Sequence, residues 1–298
     1  MNIDVKQYST FGPLTNTLAQ FSSAIGNLKS SGLALSAFNL IYGQNTSHFV
    51  EAATVQAKVS GTPTDNRFRF TMEAALHDSS KNNAISAATF AASAAFASGS
   101  GHPGLEFLTG PVSSISRPVP FNFSLPINNA YVALGGFSYS FGSGNNHHIR
   151  EITAQASIND KSDKKVDVLG RVFFSDGSSH SGEGPIQALV IGQLTGDDTR
   201  FEEKSWTTGQ GEVSVTLSNV SPINQAVVFI TRFSLKYTGS GDHEVRQILL
   251  DAGNNSLNIV NEPGSRRATI KFLPKLIMTD GKNTAAGELT LLVMAVPA

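Results

Sequence analysis

The chain has 298 residues, 40% hydrophobic and only 15% charged, with a formal net charge of −1 at pH 7. Such balance gives no global electrostatic reason to meet nucleic acid or an anionic membrane. There is no cysteine, which excludes disulfides, thiolate metal sites and a cysteine nucleophile.

The length suits two domains or one large all-β unit. Abundant Gly, Ser, Thr and Asn, with little helical periodicity, favour many short strands joined by tight turns. The chain opens on MNIDVKQYSTFGPLTNTL, which lacks a basic region followed by an apolar one. No conventional signal peptide is therefore expected, and the location would be cytoplasmic or reached by another export route. The most apolar stretch, AISAATFAASAAFAS (84–98), is too short and too rich in Ser and Ala to span a bilayer, so no membrane span is expected.

Three segments align without a gap: ALSAFNLIYGQNTSHFVEAATVQAKV (34–59), ALGGFSYSFGSGNNHHIREITAQASI (133–158) and FITRFSLKYTGSGDHEVRQILLDAGN (229–254). Phe38, Phe137 and Phe233 coincide, followed four residues later by Tyr42, Phe141 and Tyr237. Ten residues after each Phe stands a histidine: His48, His147 and His243. Beyond it, alternating apolar residues such as Ile152, Ala154, Ala156 and Ile158 mark a strand with one buried face. Each copy then runs through an apolar strand into an Asp turn, LHDSS (76–80), FSDGS (174–178) or MTDGK (278–282). A last apolar strand follows: TFAASAAF, IQALVIGQ or LTLLVMAV. Turn-rich GSGHPG (99–104) and TGDDTR (195–200) link the copies.

The expected organisation is three tandem antiparallel β-sandwich repeats, 1–100, 101–198 and 199–298, because a period near a hundred is too long for a solenoid or propeller unit. Strands apolar on both faces, such as LTLLVMAV, must be covered twice, within the repeat and by a neighbour. That predicts a pseudo-threefold assembly within one chain.

The strand order resembles the H-type lectins. PFNFSLPINNAYVALGGF is similar to the family's opening strands, HIREITAQASI to its third, and VLGRVFFSDGSS with IQALVIGQ to its closing hairpin. The resemblance implies an antiparallel sandwich assembled as a trimer, binding sugars at clefts between neighbours. It implies contacts from an arginine near the start of the third strand, here Arg150 and Arg246. The turn between the last two strands would contribute Asp176 with Ser178, Asp280 with Lys282, and Asp78 with Ser80. Glu51 stands where the first repeat should carry its arginine, and the tryptophan typical of the family's final strand is absent, Trp206 lying elsewhere.

Arg150 and Arg246 sit in phase with a buried face, where an unpaired guanidinium would be costly to desolvate. Each is either a planar donor fork for a sugar hydroxyl or anionic ligand, or half of an ion pair between repeats, with Glu151 or Asp251 as partner. Asp176-Gly177 and Asp280-Gly281 are also ordinary hairpin chemistry. His48, His147 and His243 could converge on the axis and hold a metal, or simply face solvent. No phosphate loop, HExxH or GxSxG occurs, so the expectation is a protein that is not an enzyme and needs no cofactor. The leading expectation is a non-catalytic, multivalent carbohydrate-binding protein whose partners are glycans or glycoproteins. The alternative is a structural or assembly module, such as a virion, phage-tail, injection-apparatus or toxin component, docking other protein subunits.

Overall fold

A computed structural model describes residues 3–12, 15–21, 27–43, 46–64, 66–80, 82–97, 104–141, 147–177, 180–239, 241 and 243–298, with backbone alone for 61–64. The protein is all-β: among the described residues the only helical element is a 3-10 turn at Asn254–Ser256. The first third holds β1 (Ile3–Phe11), β2 (Thr15–Gln20), β3 (Asn27–Ile41), β4 (Ala52–Thr64), β5 (Arg67–His77) and β6 (Ile85–Ala97). The middle third holds β7 (Leu105–Val112), β8 (Ser114–Asn122), β9 (Ile127–Ser140), β10 (Glu151–Lys161), β11 (Lys165–Ser175), β12 (Ser181–Gly184) and β13 (Ile186–Leu194). The last holds β14 (Arg200–Thr207), β15 (Val213–Ser218), β16 (Ile223–Lys236), β17 (Gln247–Asp251), β18 (Asn258–Asn261), β19 (Arg267–Phe272), β20 (Lys275–Thr279) and β21 (Ala286–Pro297).

Among the described residues all pairings between strands are antiparallel. The first third forms two triplets, β1-β6-β3 and β2-β5-β4, and the middle third forms β7-β13-β9 and β8-β11-β10, with β12 also on the outer edge of β11. The last third forms β14-β21-β16, β15-β19-β18 and the pair β17-β20. The thirds are then sewn together. Residues 52–56 of β4 pair with 136–140 of β9, 151–155 of β10 with 232–236 of β16, and β17 with 37–41 of β3. The last connection returns to the first third, so each third is paired with both of the others.

The bulges recur as well. In β3, β9 and β16 the register slips once around Lys29, Asn128 and Asn224, and again around Ser36, Gly135 and Thr231. A bulge bends its strand and raises the local twist, which lets each of these long strands serve two sheets. Beside one bulge Gly136 has φ +141°, and a Cβ there would lie 2.3 Å from the Val55 carbonyl oxygen of the neighbouring strand, so only glycine fits.

Sequence periodicity explains the burial. β5 and β11 alternate buried with half-buried or exposed positions and so have one core face. The C-terminal halves of β6, β13 and β21 are buried at every position. Ala92, Ala94 and Phe96 of β6 face the larger core, while Ala91 and Ala95 join a second cluster with Leu105, Phe107, Leu189, Ile191, Phe229, Leu292 and Met294. That second cluster draws on all three thirds of the chain, which is the double covering that apolar strands of this kind require.

Phe38, Phe137 and Phe233, one from each long bulged strand, meet at ring-centroid separations of 5.7, 5.7 and 5.8 Å. All three are buried. Three rings at edge-to-face and tilted angles fill a common space that no single strand pair could close.

Candidate functional site

The segments after the long strands form a second ring, made of backbone hydrogen bonds. The His48 and Val245 amides exchange bonds with each other's carbonyls, as do those of Val50 and His147, and the Ile149 N–H donates to the His243 carbonyl. One residue further, the carbonyls of Glu51, Arg150 and Arg246 accept from the amides of Phe141, Tyr237 and Tyr42 of the next third. The backbone of each of these three residues thus bridges two thirds of the chain, and its side chain starts at a seam.

Each histidine is held in its own pocket. His48, His147 and His243 lie on the rings of Tyr42, Phe141 and Tyr237 at 4.4, 4.3 and 4.0 Å. Their Nδ1 atoms face Asp78, Asp176 and Asp280 at 3.2, 3.4 and 2.8 Å. Neither alternative offered by the sequence, convergence on the axis or plain exposure to solvent, describes these three rings. Each turns to a different aspartate, and the mutual contact belongs to the three phenylalanines.

The aspartates organise their hairpins. Asp78 accepts from the Asn82 backbone and side-chain amides at 2.9 and 2.8 Å. Asp280 accepts from the Lys282 and Asn283 amides at 2.7 and 2.5 Å and from Asn283 Nδ2 at 2.8 Å. Burial pushes the Asp280 carboxyl up. The bonds from Asn283, His243 and Lys282 outweigh it and hold the group far below the usual carboxylate range. Asp78 is lowered in the same way, burial being outweighed by Asn82 and His48.

A depressed folded-state pKa contributes stability that is fully present above the unfolded value, about 3.9, and is lost as pH falls below it toward the folded value. Asp280→Asn should accordingly cost about 1–3 kcal/mol at pH 7, since the donors then face an amide. It should also flatten the loss of stability on acidification below about pH 4. Urea midpoints measured against pH check both; an acid limb as steep as that of the wild type would count against this role.

Arg150 occupies a different environment. Its aliphatic stem lies on Gly177, where a Cβ would come within 2.3 Å of Arg150 Cδ. Gly177 has φ +81°, so the turn needs glycine twice over. Neither candidate ion pair forms. Glu151 lies 3.2 Å from Lys236, and Asp251 Oδ1 accepts from the Gly253 amide at 2.7 Å. The half-buried guanidinium makes no ion pair among the described residues, and its Nε is buried without a partner.

Arg150 forms one wall of a cleft of about 680 Å³ whose other walls come from the last third: Thr207 and Thr208, Ser234 and Lys236, Tyr237 to Gly239, and Ala286 to Glu288. The buried Tyr237 hydroxyl also has no partner among the described residues. Its counterpart Tyr42 donates to the Phe49 carbonyl at 3.4 Å. Burial, and secondarily the Asp280 carboxylate, keeps the Tyr237 phenol protonated well above its ordinary range. The cleft thus offers a planar cation, an ammonium, a carboxylate and several hydroxyls, a set suited to a polyhydroxylated ligand.

Of the residues singled out in the sequence, Arg150 lines this cleft. Arg246 repeats its placement, half-buried with its stem against Gly281. Asp78, Asp176 and Asp280 are not part of the cleft lining; their carboxylates are engaged within the hairpins and by the histidines. Ser178 lies outside the described residues. Trp206 is buried, its Nε1 donating to the Gly211 carbonyl at 3.1 Å, and so is no aromatic platform for a ligand. Thr207, Thr208 and Glu288 were missed by sequence reading, because strand ends distant in the chain bring them together. Among the described residues no helix is long and apolar enough to cross a membrane.

No family model and no curated protein matches the chain. Among solved structures, a chain from "The Triple Jelly Roll Fold and Turret Assembly in an Archaeal Virus" aligns over 99% of this chain and 90% of its own, at 10% identity and a TM-score of 0.17. A likeness at that level carries no argument about function.

Proposed function

We propose that the protein is a non-catalytic carbohydrate-binding protein in which three sandwich repeats, 1–100, 101–198 and 199–298, form a pseudo-trimer similar to the H-type lectins and meet ligand at their seams. The observation that carries this reading is the cleft at Arg150. Hydroxyl-bearing and charged side chains stand on its walls, it crosses a seam, and its arginine makes no ion pair among the described residues. A guanidinium fork beside hydroxyl-bearing walls can bind vicinal hydroxyls or a sugar carboxylate through paired hydrogen bonds. The repeated placement of Arg246 at another seam supports more than one site per molecule, and rigidly spaced sites raise avidity on a multivalent surface. At the remaining seam the equivalent residue is Glu51, 3.7 Å from His77, so its ligand preference would differ.

The test is a glycan-array screen of the purified protein. Selective binding to a defined set of glycans is the expected result, and absence of binding across the array would remove the proposal. The alternative, an assembly module docking protein subunits, is favoured by one observation. Phe11 and Ile85 are 80% and 66% exposed at the same end of the β1-β6-β3 sheet, where Gly12 N–H donates to the Ser86 carbonyl. Exposed aromatic and aliphatic side chains grouped at one end suit a protein contact.

A further inference from the structure

We infer that the middle third carries a zinc site formed by His147, Asp176 and His180. This inference is independent of the carbohydrate reading. The three corresponding hairpins share one plan: a histidine Nδ1 and a turn residue both address the same aspartate oxygen. In the first and last hairpins the turn residue is an amide, with Asn82 and Asn283 each donating to Oδ2 of Asp78 and Asp280 at 2.8 Å. In the middle hairpin it is a second imidazole, and His180 Nδ1 lies 2.7 Å from Asp176 Oδ2, while His147 Nδ1 lies 3.4 Å from the same atom. The exchange of an amide for an imidazole turns a one-histidine pocket into a His-Asp-His set.

The dimensions suit a tetrahedral ion. Zinc bonds of about 2.0–2.1 Å place neighbouring ligand atoms about 3.3 Å apart. The three ligand atoms here lie within 4.8 Å of one another, and the two imidazole rings are 4.5 Å apart between centroids. Small side-chain rotations are enough to admit the ion, and the surroundings hold the ligands for it. Asp176 Oδ1 accepts from the His180 amide at 3.1 Å, which leaves Oδ2 directed at the ring nitrogens. The His147 ring is clamped by Phe141, and its backbone by the Val50 bridge. Such outer contacts orient ligands and raise affinity. Two neutral imidazoles and one carboxylate match the donor preference of zinc. His180, with its side chain 59% exposed, leaves a fourth position open to water or a solute donor. Bound there, the ion would fix the turn whose Gly177 supports Arg150.

The experiment is calorimetric titration of the metal-stripped full-length protein with zinc chloride, beside His180→Asn. That variant installs the amide the other two hairpins use, so the hairpin keeps its hydrogen bond. The wild type should bind one equivalent saturably at micromolar zinc, and His180→Asn should lose at least ten-fold in affinity. Zinc-induced shifts of the His147 and His180 ring resonances, with those of His48 and His243 unmoved, give a readout that needs no variant. Absence of saturable binding in the wild type, binding undiminished in His180→Asn, or shifts confined to other histidines would each overturn the site.

Discussion

Phe137→Ala is expected to cost about 3–5 kcal/mol, the range for removing a fully buried aromatic ring, and to do so by loosening all three thirds of the chain together. The ring is 2% exposed and touches both Phe38 and Phe233. Its loss therefore leaves a void bounded by β3, β9 and β16, which are also the strands that pair across the seams. Relaxation that filled the void would have to shift strands already fixed by ladder bonds on both sides, so collapse would be limited. Because the three rings share one space, the Phe38→Ala/Phe137→Ala pair should cost less than the sum of the two single changes. Phe11→Ala, at a position 80% exposed, should stay within about 0.5 kcal/mol. Guanidinium unfolding of the four variants measures all of this. Additive costs in the double variant would mean that the rings do not form a shared centre.

The second large effect is expected on binding. If the cleft is the ligand site, Arg150→Ala should weaken glycan binding about 10- to 100-fold, the loss of one or two charge-assisted hydrogen bonds at about 1.5–3 kcal/mol in total. Stability should change little, since among the described residues the guanidinium forms no ion pair and its buried Nε has no partner. Arg150→Lys should fall between the two, because an ammonium keeps the charge and loses the fork. Surface plasmon resonance on an immobilised glycan selected by the array, with thermal melts alongside, separates binding from folding. Equal affinity for wild type and Arg150→Ala would move the site elsewhere.

The β character of the chain could be read directly from residue alternation, and the doubly buried ends of β6, β13 and β21 from apolar runs too rich for one core. The correspondence of Phe38, Phe137 and Phe233 came from spacing alone, and these three rings do meet. Spacing could not say that the phenylalanines, and not the histidines, would be in mutual contact. That depends on which face each strand turns inward after its bulge. The reading of Arg150 as half of an ion pair with Glu151 failed for a simple reason: neighbours along an extended chain point to opposite sides, and Glu151 reaches Lys236 on the paired strand.

In the sequence the aspartates are turn formers, and the resemblance carries them to a ligand site. Their bonds to the histidines were not foreseen, since 30, 29 and 37 residues separate the partners. A signal was nonetheless present, because every segment that carries the histidine also carries the aspartate at a similar distance. His180 was legible only as a departure from that pattern, once Asn82 and Asn283 were seen to hold the same place.

The most direct measurement is a crystal structure of the protein with the tightest-binding glycan from the array. Sugar density is expected in the cleft, within hydrogen-bonding distance of the Arg150 guanidinium and of hydroxyls among Thr207, Thr208, Ser234 and Thr238. Sugar bound away from the seams, with the Arg150 cleft holding only solvent, would contradict the proposal.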